Sequence, residues 1–161
     1  MFVHEVEDTS ALCAHVLQGC QRVWDALGCG QNEAVYQQAL EHELRSCGYV
    51  IIGTAPVPIY YKGLSIGFCL PDIRLPGERL VIELKAIAAD IRKGNTEGKA
   101  QLASYMRLLD YDYGMLVNFP KRVQQSEAVK LESVCYKRAE APQVSQAETR
   151  AARQRAEPLR L

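Results

Sequence analysis

Three side chains near the middle of the sequence have types and spacing suited to phosphoryl chemistry. Leu70-Pro71-Asp72 is followed, after ten intervening residues, by Glu83-Leu84-Lys85. Glu83 and Lys85 are two apart, so on a strand they project from one face. That strand is otherwise apolar, with Leu80-Val81-Ile82 before the glutamate. Charges are costly in such surroundings unless they pair or bind a metal. A Glu83–Lys85 ion pair, or an edge strand with one wet face, accounts for the triplet alone. Asp72 on a neighbouring strand adds a second carboxylate that neither account requires. A hard cation such as Mg²⁺ takes oxygen ligands and is held by few carboxylates plus water. Bound between Asp72 and Glu83, it would polarise a phosphoryl oxygen and lower the pKa of a bound water. A lysine beside it would position that water or stabilise charge on the phosphate.

The flanking sequence predicts the elements that carry these groups. Leu12, Cys13, Val16, Leu17, Cys20, Val23, Trp24 and Leu27 recur at steps of three and four, which marks a helix over residues 10–27. Thr9 or Ser10 caps its start, and Gly28 and Gly30 end it. A second helix is expected over residues 32–47, with Val35, Ala39, Leu40 and Leu44 as its buried stripe. Residues 57–61, 64–75 and 79–86 are rich in β-branched and aromatic residues and predict a three-stranded meander. Lys62-Gly63 and Pro76-Gly77-Glu78 are its turns. A third helix is expected over residues 96–109, then strands over 113–118 and 130–137. Helices around a central mixed sheet, an α/β fold, follow from this order. Tyr60 and Tyr61 could stack on bases, although alternating strand aromatics read more readily as core.

Composition narrows the class. The 161 residues suit one domain, and 48% of them are hydrophobic, enough for a core. No apolar run is long enough to cross a bilayer, and the acidic start MFVHEVEDTS does not read as a secretory signal. Cys13, Cys20, Cys29, Cys47, Cys69 and Cys135 form no C-x-x-C pair. They read as free thiols in a reducing, cytoplasmic or otherwise intracellular compartment. Nineteen basic residues balance nineteen acidic ones, so the chain has no strong global attraction for nucleic acid. Residues 1–138 are read as the domain. Residues 139–161, made largely of Ala, Gln, Glu and Arg and poor in large apolar side chains, are read as a polar tail, helical or disordered. His4, His15 and His42 are assigned no catalytic part.

Asp72…Glu83-x-Lys85 resembles the active-site signature of the PD-(D/E)XK nuclease superfamily. Gly30-Gln31-Asn32-Glu33-Ala34-Val35-Tyr36 matches G-x-x-E-x-x-Y, which resembles the GxxExxY family within it. The surroundings agree: residues 24–30 before the heptad, Gln37-Gln38-Ala39-Leu40 after it, and residues 57–63 downstream. Gln101-Leu102-Ala103-Ser104-Tyr105 resembles the Q-x-x-x-Y motif of RecB-type nucleases. The likeness runs from Cys13 to Pro120. It departs from the pattern at Cys29, where many relatives carry proline, and at Gly98, where histidine is common. The loop over residues 88–97, with Asp90, Arg92 and Lys93, is longer than usual.

The resemblance implies a restriction-endonuclease-like fold with core order α-β-β-β-α-β and a Mg²⁺- or Mn²⁺-dependent nuclease acting on nucleic acid, DNA ahead of RNA. It implies that Glu33, which a helix start would also favour electrostatically, joins Asp72 and Glu83 as a metal ligand. Lys85 would assist the attacking water, and Gln101 and Tyr105, sharing one helical face, would position substrate. The competing expectation is a catalytically silent module of the same fold that binds nucleic acid or a protein. A homodimer or a protein partner recruited through the tail is a further expectation.

Overall fold

A computed structural model describes residues 10–88, 90–92, 96–121 and 130–138. Two helices come first, α1 (Ala11–Leu27) and α2 (Glu33–Ser46). Ser10 caps α1, its hydroxyl accepting from the Cys13 N–H at 3.2 Å. Gly28, at φ +64°, ends it in a conformation that favours glycine. The strands β1 (Val57–Tyr61), β2 (Leu64–Cys69), β3 (Ile73–Leu75) and β4 (Leu80–Lys85) follow. Then come α3 (Thr96–Leu109), β5 (Tyr113–Asn118) and β6 (Glu132–Lys137).

The central sheet runs β3-β4-β5-β6. Its β4–β5 pair is parallel and the other two pairs are antiparallel. This is the mixed α/β sheet flanked by helices that the sequence predicts. β4 is buried along nearly its whole length, as suits a strand covered on both faces. Leu80, Ile82 and Leu84 pack with Val16, Cys20, Tyr36 and Leu40 of α1 and α2. Val81, on the opposite face, packs with Leu102, Tyr105 and Met106 of α3. Glu83 and Lys85 share the parity of Val81 and so face the α3 side. α3 lies close on the sheet because Gly114 has no side chain. A Cβ there would come within 2.6 Å of Met106 Sδ and 3.1 Å of Leu102 Cγ. Gly114→Val is expected to cost ~1–3 kcal/mol through overpacking, read from the urea midpoint.

Four sequence expectations are corrected. The meander is not one sheet: β1 and β2 form a separate two-stranded ribbon. The strand expected over residues 64–75 breaks at residues 70–72, where Pro71 lacks the N–H a ladder needs. On α2 the buried stripe is Tyr36, Leu40 and Leu44, while Val35 is exposed. Steps of four from Tyr36 meet the sheet, which leaves Val35 on the solvent side. Tyr60 and Tyr61 are exposed rather than core residues. None of the six cysteines is joined in a disulfide. The tail over residues 139–161, and the domain boundary placed before it, lie outside the described residues.

Candidate active site

The break before β3 and the end of β4 bring the two strand carboxylates together. Ile73 pairs with Ile82, so Asp72, just outside β3, comes beside the last residues of β4. Its Oδ2 accepts from the Leu84 N–H at 2.7 Å. Glu83 is buried and Lys85 partly so, and Lys85 Nζ donates to Glu83 Oε1 at 2.5 Å. The ion pair that would explain the E-x-K triplet by itself is therefore present. It leaves Glu83 Oε2 buried without a hydrogen-bond donor among the described residues, which an ion pair alone does not explain.

Glu33 arrives from the first turn of α2. Its approach is held by Tyr36, whose hydroxyl donates to the Gly28 carbonyl at 2.7 Å and accepts from the Gln31 N–H at 3.2 Å. Gly30, at φ +102°, permits the loop between them. Tyr36 itself stacks on Phe119 at a ring separation of 4.4 Å. The heptad's glycine and tyrosine thus shape the entry to the helix, and its glutamate is what they aim.

The charges share one field. Burial, then the Asp72 carboxylate, pushes Glu83 up to about 7, with Glu33 adding to the rise and Lys85 opposing it. Burial also raises Asp72, against the pull of the Leu84 N–H, the Lys85 ammonium and a side-chain hydrogen bond with Glu83, whose carboxyl holds a proton to donate below about 7. Glu33 is raised by burial and Asp72 and eased by Lys85, the Ala86 amide and Lys121. Burial works to lower Lys85, but Glu83, Glu33 and Asp72 outweigh it and hold the ammonium above its ordinary value. On α3, Gln101 Nε2 donates to the Tyr105 hydroxyl at 2.7 Å. Burial raises Tyr105, Gln101 opposes the rise, and Glu83 and Asp72 contribute to it. Glu33, Asp72, Glu83 and Lys85 thus share one electrostatic field, which extends to Tyr105 and, through its hydrogen bond, to Gln101. Lys121 is a further cation near Glu33 that no motif announces. It follows β5 and is anchored by its backbone N–H on the Ile87 carbonyl at 3.2 Å.

Among the described residues, no three carboxylate, histidine or cysteine side chains stand close enough to hold an ion as they are. Carboxylates without a cation between them repel, and the Lys85 ammonium takes up one Glu83 oxygen. The donor set nevertheless fits a hard divalent cation. It offers carboxylate oxygens only, one of them buried and unpartnered, on groups whose mutual charge a cation would relieve.

This arrangement makes stability depend on pH. Glu83 in the folded chain sits near 7, above its ordinary 4.5, so between these values the folded state holds a proton that the unfolded state has released. The metal-free protein is expected to lose stability as pH rises from about 4.5 to about 7. Glu83→Gln should flatten that slope in urea unfolding. A slope unchanged in the variant would assign the dependence to another group.

Comparison with known proteins adds the family. The chain is similar in structure to a phage-related exonuclease from Haemophilus somnus 129PT, at 13% identity over 84% of this chain and 80% of that one, with a TM-score of 0.44. It is similar also to SSO0001, at 12% identity over 96% and 91%, with a TM-score of 0.44. No curated protein sequence matches it. The sequence profile of the PD-(D/E)XK nuclease superfamily matches residues 10–131. Because that match spans well over half of the chain and runs through Glu33, Asp72, Glu83 and Lys85, the protein belongs to the PD-(D/E)XK nuclease superfamily.

Proposed function

We propose that the protein is a metal-dependent nuclease that hydrolyses phosphodiester bonds of nucleic acid, with DNA ahead of RNA. The observation that carries this reading is the buried, unpartnered Glu83 oxygen beside Asp72 and Lys85. Glu33, Asp72 and Glu83 would hold Mg²⁺ or Mn²⁺. When bound, the ion supplies Lewis acidity toward a phosphoryl oxygen and a more acidic water. Lys85, kept protonated by its acidic neighbours, sets positive charge where the phosphate gains negative charge. Gln101 and Tyr105, joined by their hydrogen bond, present amide and hydroxyl groups to the substrate backbone. Water oxygen bonds to phosphorus, the phosphorus bond to one nucleotide oxygen breaks, and that oxygen leaves with a proton.

One observation favours the second reading, a silent module of the same fold. The Glu83–Lys85 pair is already closed, and no three ligands are gathered in advance. Labelled single- and double-stranded DNA and RNA, incubated with Mg²⁺ or Mn²⁺ and with EDTA, separate the two. Cleavage that EDTA abolishes is expected. Intact substrates under every condition, with no divalent-metal binding by calorimetry, would leave the silent module as the correct reading.

A further inference from the structure

The β1–β2 ribbon has the composition of a protein interior and is left outside. From Val57 to Leu70 the only charged residue is Lys62. Tyr60, Tyr61, Leu64, Ile66 and Phe68 are each 60–68% exposed. The two strands pack on each other and, among the described residues, make no substantial contact with another element. An isolated two-stranded ribbon is marginal in water and needs further cover. Lys62 and Gly63, at φ +48° and +82°, make a tight turn that holds it together.

We propose that this hairpin is the contact surface of a homodimer, packed against the same hairpin of a second copy. Both edges of the ribbon resist strand addition. Pro58 removes a donor from β1, and the register shift opposite Ile59 and Tyr60 leaves Ile66 as an extra residue on β2. Association therefore runs through side chains. Val57 is buried and Cys69 half-buried, and Cys69 packs toward the α3 core, so their face turns inward at its base. Pro58 pairs with Phe68, and alternation puts Tyr60 beside them on the outward face, all three exposed. Tyr61 and Leu64, paired with each other, lie on the opposite face, so the outward face is made by Tyr60, Phe68 and Leu70 with the bulged Ile66; at ~150–250 Å² per aromatic side chain it presents on the order of 500 Å². That lies toward the upper end of the ~300–600 Å² of the largest patch on a typical monomer, which is often functional, and two copies packed together would bury on the order of 1,000 Å², about the least a specific interface needs. Aromatic residues without charge are also what interface cores favour. A nucleic-acid backbone would want more than one lysine. An isologous contact requires only this one surface, used twice.

Sedimentation equilibrium of the full chain tests the proposal, with Tyr60→Lys/Phe68→Lys as the comparison. Both side chains are exposed in a single copy, so the variant should keep its far-UV spectrum. The wild type is expected to be a dimer, and the variant's dissociation constant should rise at least tenfold. Ile66→Lys alone gives the same reading if the double variant does not fold. A wild-type monomer, or a dimer indifferent to these changes, overturns the proposal. So does a wild type that dimerises only after residues 1–9 are removed, because the chain's own start would then cover the hairpin. A monomer whose affinity for single-stranded DNA is lost in the variant assigns the surface to nucleic acid and equally overturns it.

Discussion

Lys85→Ala is expected to lower cleavage by ~10²–10⁴-fold, the range for losing a positioned electrostatic or proton-handling group, while leaving divalent-metal binding measurable. Asp72→Ala is expected to abolish both. The difference follows from what each side chain can donate. Lysine has no lone pair to offer while protonated, and its three carboxylate neighbours keep it so. In the proposed reaction its part would therefore be confined to substrate charge. Asp72 would supply ligand oxygens to the proposed ion, and it also fixes the strand end through the Leu84 N–H. The structural side of that loss is checked with Asp72→Asn, which keeps an acceptor for Leu84 but removes the charge. If Asp72→Asn folds normally and no longer binds Mn²⁺ in calorimetry, the ligand role stands. If Lys85→Ala cleaves at the wild-type rate, the lysine serves only to neutralise Glu83, and the proposed chemistry loses its cation.

Much of this site could be read without coordinates, because its parts sit on elements with clean periodicity. The three helices follow apolar residues at steps of three and four, and β4 follows a continuous apolar run, so Glu83 and Lys85 could be put on one face in advance. Asp72 was harder. The pattern over residues 64–75 continues across Leu70-Pro71, and only the missing N–H of Pro71 hints that the strand stops there. On α2, Val35 and Tyr36 are sequence neighbours and either fits a stripe with Leu40 and Leu44. Phe119, eighty-three residues away from Tyr36, decides between them by stacking on the tyrosine, and local sequence does not contain that contact. Lys121 was invisible for the same reason. It reaches Glu33 by the course of the chain after β5 rather than by any spacing. The hairpin failed differently. Its side chains are apolar, and apolarity reports a need for cover without saying whether this chain supplies it.

Tyr36→Ala should be the most damaging single change for the fold, costing ~3–5 kcal/mol. Tyr36 is fully buried, with no measurable exposure. Its ring lies nearly parallel to Phe119 at an interplanar angle of 6°, and Trp24 closes the group at 6.5 Å from Tyr36. Three elements lean on it: α1 through Trp24, α2 through its own backbone, and the end of β5 through Phe119. At ~2–4 °C per kcal/mol for a domain of this size, the melting temperature should fall by about 10 °C. Tyr36→Phe separates packing from the loop clamp. It keeps the stack but loses the hydrogen bonds to Gly28 and Gln31, worth ~0.5–1.5 kcal/mol each, so its melting temperature should fall only a few degrees. Its larger effect should appear in metal affinity, because the freed loop leads directly into Glu33. Calorimetric melting of both variants, with Mn²⁺ titration of Tyr36→Phe, makes the comparison. Equal losses of stability in the two would mean that the hydroxyl, rather than the ring, holds the helices to the sheet.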